Sequence, residues 1–318
     1  MDAAKPTKAP ENAIPARFVH LHTHSHYSLL NALPKVDELV KEAKRYGMPA
    51  LALTEAGNMY STIEFFKEAK KAGIKPIVGV DMYVAMRGRT DMQAGVDNRR
   101  HRLILLAKNE IGYKNLIDLT TKSHLEGFYY KPRIDRELIA LHKDGLVAIA
   151  PSFSSEISNA LKNHNQEKAG EALDFYKRTF GEDFFIEITR HPEITGHEDL
   201  MKELIIIARN NKVPLVAGHD VYYLHPEDKA ARDTLMLVNT SGPSGDLADK
   251  NTGSGFGGDE DDEDFSFISQ DRAVELFADL PEALENTLKI ADRCNLEIPL
   301  GKWFFSDYKV ESGRTYDE

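Results

Sequence analysis

Four histidines alternate with other residues in one stretch near the start of the chain. They are His20, His22, His24 and His26, within residues 18–31. Alternate side chains of an extended strand leave the same face, so we expect these imidazoles to converge on one point. Because neutral imidazole is a common metal ligand, the stretch predicts a metal site. The alternative is a half-exposed strand whose histidines bind nothing.

The composition narrows the classes of function. The chain has 318 residues, a net charge of −11, 42% hydrophobic residues and one cysteine, Cys294. One cysteine excludes an internal disulfide and is typical of a reducing cytoplasm, where we expect the protein to act. The negative charge argues against a chain that binds nucleic acid tightly by itself. No apolar run approaches the roughly 20 residues that span a bilayer, so no membrane partner is expected.

Apolar segments alternate with amphipathic helices along most of the chain. After the histidine stretch, strands are predicted at 50–54, 76–84, 103–107, 146–150, 184–188 and 213–217. Seven strands mostly separated by helices favour an α/β fold of parallel βα units.

Polar side chains lie late in most of these strands or shortly after them. They are His22, His24, Glu55, Asp81, Ser152, His191, His219 and Asp220. His101 is the exception because it precedes its strand. A closed barrel would gather residues from several strand ends, whereas an open sheet would gather only those near one crevice. The pattern therefore favours a barrel.

The flanking segments differ in composition. Residues 1–17 are predicted to be a disordered leader, and residues 18–240 form the barrel domain. Residues 241–268 are rich in Gly, Ser and Asp and predict a solvated acidic loop. Residues 269–318 return to a helical pattern without a closing element.

Several segments resemble a known family. The chain is similar to the N-terminal region of bacterial replicative (C-family) DNA polymerase III alpha subunits, which begins with a PHP domain. The segments that carry this resemblance are HLHTHSHYSLLNAL, MPALALTEAGNMY, AGIKPIVGVDMYV, HRLILLAKNEIGYKNL, HLEGFYYKPRID, VPLVAGHDVYYLHPED and ELFADLPEALENTLKIADRCN. The resemblance implies a seven-stranded (β/α)7 barrel of the PHP type, with a C-terminal helical extension leading towards a polymerase palm.

Metal-binding members of that family hold a cluster of metal ions. The resemblance places ligands at His22, His24, Asp81, His101 and Asp220, with Glu55, His191 and His219 as additional candidates. Four family ligand positions hold poor or impossible ligands, namely Asn31, Ala56, Ser152 and Tyr222. We therefore expect a degraded site with no metal or one weakly bound divalent metal, zinc or manganese.

Three functions remain open at this stage. The first is the PHP portion of a polymerase alpha subunit, a structural and docking barrel in DNA replication. Its partners would be the rest of that subunit and other replisome subunits, with DNA reached only through the parent nucleotidyltransferase, whose active site is not in this chain. The second is a metal-dependent PHP phosphoesterase or 3′–5′ exonuclease, and the third an amidohydrolase-like enzyme of another family. The segment ELFADLPEALENTLKIADRCN favours the first, while activity of this chain alone stays uncertain.

Overall fold

The computed structural model describes residues 17–240 and 263–301. The rest of the predicted leader, most of the predicted acidic loop and residues 302–318 lie outside these ranges. None of the described helices is long and apolar enough to cross a membrane. The α-helices are α1 (Val36–Arg45), α2 (Thr62–Ala72), α3 (Glu110–Leu125), α4 (Arg136–Leu141), α5 (Glu156–Lys162), α6 (Gln166–Phe180), α7 (His197–Asn210), α8 (Lys229–Thr240), α9 (Gln270–Leu276) and α10 (Pro281–Arg293). The strands are β1 (Ala50–Ala56), β2 (Lys75–Ala85), β3 (Arg100–Ala107), β4 (Phe128–Tyr129), β5 (Lys131–Ile134), β6 (Leu146–Ala150), β7 (Phe184–Ile188) and β8 (Leu215–Ala217).

Six of these strands form a curled sheet that the histidine stretch completes. Their order is β1-β2-β3-β6-β7-β8, and the small β4-β5 hairpin pairs with β2. On one side of the histidine stretch, Ala52 N–H donates to His20 O (2.9 Å). On the other side, Val221 N–H, just after β8, donates to His22 O (3.2 Å). Seven segments therefore surround one core, which confirms the expected α/β barrel.

Strand β3 departs from the expected all-parallel order. It runs antiparallel to both neighbours, with Val84 opposite His101 and Ala107 opposite Leu146. Residues 86–99, between β2 and β3, contain no helix in the structure. Without a crossover helix the chain returns beside β2 in the opposite direction. The beginning of β3 therefore lies at the same rim as the ends of the parallel strands, which explains why polar residues stand at the start of this strand.

The expectation that all four imidazoles converge on one point is wrong, because the stretch contains a bulge. The His20 carbonyl accepts from Ala52 N–H, and the Thr23 carbonyl accepts from Thr54 N–H. The histidine stretch therefore advances by three residues where β1 advances by two. An extra residue of this kind reverses which face the following side chains occupy. His20 consequently packs against Phe267 outside the barrel, with ring centroids 4.3 Å apart.

Two apolar layers hold the barrel together. One lies inside it and the other between the strands and the surrounding helices. The C-terminal extension closes the base, since Ile290 and Cys294 join the interior layer. Val19 N–H also donates to Thr287 Oγ1 of α10 (3.2 Å). The interior layer contains Val19, Leu21, Ala50, Ala52, Ile77, Ile104, Leu106, Val147, Ile149, Phe185, Val216, Ile290, Ala291 and Cys294.

Candidate metal centre

Five potential metal-ligating side chains converge at the rim where the parallel strands end. His22 Nδ1 lies 2.9 Å from Asp220 Oδ1 and 3.2 Å from Glu187 Oε1. His22 Nε2 lies 3.2 Å from Asp81 Oδ2, and His24 Nε2 lies 3.8 Å from the same oxygen. None of the five is more than 3% exposed. They form two overlapping groups of three donors around His22, one with His24 and Asp81, the other with Glu187 and Asp220.

An arginine binds both oxygens of one of these carboxylates. Arg102 Nε donates to Asp81 Oδ1 (2.8 Å), and Arg102 Nη2 pairs with Asp81 Oδ2. The guanidinium also lies over the Tyr83 ring, 4.7 Å from its centroid. Burial alone would raise the pKa of Asp81, but Arg102 and His22 outweigh it and hold that pKa well below its usual range. Asp81 is therefore an ionised carboxylate whose counter-charge comes from the protein.

His101 does not join this cluster. Its Nδ1 contacts Asn159 Nδ2 of α5 (3.0 Å), on the outer side of β3. Successive side chains of a strand leave opposite faces, so Arg102, the next residue, points to Asp81 inside the barrel. Burial lowers the pKa of His101. His101 was expected to be a metal ligand, but Arg102 enters the pocket in its place.

Glu187 is the site residue that sequence reasoning missed. It is the next-to-last residue of β7 rather than one that follows the strand. Its Oε2 accepts from Ser152 N–H (3.2 Å), which aims the carboxylate into the barrel. The sequence did contain an indication that Glu187 belongs to the site, because it is the one charged residue in the otherwise apolar segment FFIEI. A carboxylate buried in such a strand is costly unless a hydrogen-bond donor or a cation pairs with it.

His22 is surrounded by acids. Burial opposes protonation of its imidazole, but Asp220, Glu187 and Asp81 outweigh burial and raise the pKa of His22 well above its ordinary value. Burial has the opposite effect on an acid, and it raises the pKa of Glu187. For Asp220, the attraction of His22 outweighs burial and lowers its pKa.

The side chains at the four positions where we expected a lost ligand make other contacts. The Tyr222 ring stacks on His24, with centroids 4.6 Å apart, and burial raises its pKa to about 12. Ala56 has no polar side chain, and its backbone N–H donates to Ser28 Oγ (3.0 Å). Asn31 Nδ2 donates to Leu29 O (3.3 Å). Ser152 Oγ lies 2.7 Å from Thr189 Oγ1.

The additional candidates lie outside both donor groups. Glu55 accepts from the hydroxyls of Ser25, Ser28 and Ser61, and burial raises its pKa. His191 and His219 stack on each other with centroids 5.3 Å apart. His191 Nδ1 contacts Glu193 Oε1 (2.9 Å).

A further buried histidine, His197, adjoins this stacked pair. Its Nε2 lies 2.9 Å from Thr189 Oγ1, and its ring packs on Phe153 at 4.6 Å between centroids. Burial, followed by the nearby His191, lowers the pKa of His197 to about 3. The folded protein thus holds this imidazole neutral.

We expect His197 to make the fold acid-sensitive. A depressed folded pKa means that the unfolded chain binds more protons between about pH 6.5 and 3, so stability is lost as pH falls through that range. The slope from this one group approaches about 1.4 kcal/mol per pH unit. Urea unfolding at several pH values should give a shallower slope for His197→Gln than for the parent chain. His225→Gln, at an exposed histidine, supplies the comparison, and equal slopes in all three proteins would contradict the prediction.

A multi-metal cluster does not fit the pocket that these residues form. Ala56 has no donor side chain, and the Tyr222 ring covers one face of His24. Both Asp81 oxygens are bound by Arg102, a permanent cation that would repel a metal ion bound to the same carboxylate. Among the described residues, the donors that remain are enough for a single ion.

Comparison with known proteins identifies the family of this chain. The family model described as "PHP domain" matches residues 20–191, more than half of the chain. The DNA polymerase III subunit alpha of Borreliella burgdorferi is 39% identical over 93% of this chain and 25% of its own length. Those of Treponema pallidum and Campylobacter jejuni are 39% and 34% identical over 89% and 90% of this chain, each covering 24% of the relative. The chain thus spans about a quarter of the length of these relatives. It belongs to the PHP domain family, and within that family its sequence is similar to the DNA polymerase III alpha subunits.

Proposed function

We propose that this chain forms the PHP portion of a replicative DNA polymerase III alpha subunit, and that its barrel is a structural and docking domain rather than a phosphoesterase. The observation that carries the proposal is the Arg102 guanidinium bound to both oxygens of Asp81. An arginine at this place removes from metal binding a carboxylate that the family uses for it.

The closure of the pocket supports the same conclusion. Metal-assisted hydrolysis needs an open coordination position and room for an activated water beside the substrate. The described residues near the pocket leave little such room. The Tyr222 ring stacks on His24 and packs in one apolar cluster with Phe153 and Phe265, and Tyr222 N–H donates to Phe265 O (3.0 Å). A phosphate ester would have to displace the Tyr222 ring to reach the face of His24 that it covers.

The partners follow from the relatives. Because the matched proteins are about four times longer than this chain, polymerisation and most DNA contacts belong to the remainder of such a subunit. The net charge of −11 is in keeping with a domain that meets other proteins of the replisome rather than DNA. The proposed role places the protein in the cytoplasm, where the chromosome is copied.

An exonuclease assay tests the proposal. We expect the purified chain, with added Mn²⁺ or Zn²⁺, to release no nucleotide from 5′-labelled single-stranded DNA beyond the buffer control. His24→Ala is the matched variant, because it removes a histidine of the pocket. Nucleotide release by the parent chain that His24→Ala abolishes would replace the docking barrel with an active PHP 3′–5′ exonuclease.

A further inference from the structure

A cavity of about 410 Å³ opens at the base of the barrel, where β7 and β8 begin. It lies between the ends of α6 and α7 and one face of α10. The rim that holds His22 and Asp220 is at the other end of the same strands, and none of the candidate metal ligands lines this basal cavity. Cavities of about 300–1,000 Å³ are typical of small-molecule sites. The volume therefore suits a small ligand.

The deep side of the basal cavity is apolar. Phe185 of β7 and Val213, just before β8, line it and are buried, and Pro214 lies beside them. The Arg293 guanidinium lies over the Phe185 ring, 5.7 Å from its centroid. This wall can take the flat apolar part of a ligand, with a guanidinium close by.

Cations surround the apolar wall. The charged residues that line the cavity are one acid, Glu182, and four bases, Lys177, Lys212, Lys289 and Arg293. Two of the bases pair with acids outside the cavity, Arg293 with Asp183 (3.1 Å) and Lys289 with Glu285 (3.4 Å). In a chain whose net charge is −11, such a concentration of bases indicates an anionic ligand.

The other two bases, Lys177 and Lys212, form no ion pair within the described ranges. Lys177 Nζ donates to Asn211 O (2.7 Å) at the end of α7, which is an ordinary role for a lysine near a helix C-terminus. No contact of that kind accounts for the Lys212 side chain among the described residues. Lys212 is therefore the base whose presence the fold does not explain.

The backbone of Lys212 is strained. Its φ is 54°, in the left-handed region, directly after the last turn of α7. At the turns that end α1 and α2 the chain has Gly47 (φ 66°) and Gly73 (φ 78°), and glycine adopts this conformation without steric cost. Residues held in such conformations cluster at binding sites, where the strain is retained for function. The strain thus indicates a role for Lys212 other than folding.

We propose that the basal cavity binds a small phosphorylated molecule with a flat apolar body, which is the chemistry of a nucleoside phosphate. Lys177 and Lys212 bind the phosphate oxygens through charge-assisted hydrogen bonds, and the apolar body lies against Val213 and Pro214. Because the cavity is at the opposite end of the barrel from the candidate metal centre, the inference does not depend on the proposed docking function.

Hydrogen bonds between elements hold the walls of the cavity in place. Asn286 Nδ2 of α10 donates to Leu215 O of β8 (2.7 Å), and Arg293 Nη1 donates to Glu182 O (3.0 Å). The bond from Lys177 to Asn211 joins α6 to α7. Binding therefore does not have to order the walls, and a preformed site loses less affinity to ordering.

Isothermal titration calorimetry tests the ligand class. The chain is freed of metal with a chelator, which gel filtration then removes, and it is titrated separately with adenosine 5′-diphosphate (ADP), adenosine and inorganic phosphate. We expect ADP to bind at least about 10-fold more tightly than either of the other two, because only ADP fills both parts of the cavity. Absence of ADP binding, or affinity for adenosine or phosphate equal to that for ADP, would overturn the proposed ligand.

Variants of Lys212 test the location. Lys212→Gly should weaken ADP binding about 10-fold or more, while its melting temperature equals or exceeds that of the parent chain, because glycine relieves the strain. Lys212→Arg keeps the charge and should retain the affinity within about 3-fold. Lys168→Gln, at an exposed lysine near the start of α6, is the matched control and should bind as the parent chain does. Unchanged affinity in Lys212→Gly, or an equal loss in Lys168→Gln, would overturn the site.

Discussion

Replacing Arg102 with methionine is expected to lower the free energy of unfolding by about 3–5 kcal/mol. The substitution keeps most of the aliphatic volume but removes the only guanidinium that the described residues place on Asp81. Asp81 would remain buried as an uncompensated carboxylate, with His22 as its remaining cationic neighbour. Urea unfolding followed by circular dichroism measures the loss.

A double variant separates the lost charge from lost packing. Arg102→Met combined with Asp81→Leu should recover most of the stability, since removing both charges of a buried pair is far less costly than removing one. Arg136→Met is the exposed counterpart, because Arg136 pairs with Glu156 near the surface and should cost about 1 kcal/mol or less. If Arg102→Met unfolds no more easily than Arg136→Met, Arg102 is not the counter-charge of the pocket.

Replacing Arg133 with methionine is the other change for which we expect a large effect, about 3 kcal/mol or more. This fully buried arginine in β5 donates to four backbone carbonyls, those of Arg89 (2.8 Å), Asp91 (2.9 Å), Asp97 (2.8 Å) and Gly127 (3.0 Å). Three of those carbonyls belong to residues 86–99, the helix-free connection between β2 and β3. Methionine would leave all four without this donor.

The loss should also be visible locally. Limited proteolysis is expected to cleave Arg133→Met first within residues 86–99, at a protease concentration that leaves the parent chain intact. Arg99→Met changes an exposed arginine in the same connection and should shift stability by no more than about 0.5 kcal/mol. Equal stability and equal cleavage in the two variants would show that Arg133 does not organise this connection.

Local pattern determined much of the secondary structure. The strands at Leu146–Ala150 and Phe184–Ile188 lie where the sequence predicted them. Apolar periodicity and flanking residues determine secondary structure through contacts within a few positions of the chain. Ser155, for example, caps α5 by accepting from Ser158 N–H (3.1 Å). The short elements β4, β5 and α4 were not predicted, because such brief segments carry little periodicity.

The sequence also determined that His22, His24, Asp81 and Asp220 would meet, since a barrel gathers the ends of its strands. Only the tertiary structure decided which neighbours complete the site. The antiparallel direction of β3 and the bulge after His20 depend on hydrogen bonds between segments far apart in the chain. A one-residue change in such pairing exchanges the inner and outer faces of a strand. Arg102 rather than His101 therefore enters the pocket, and Glu187 reaches it from within β7.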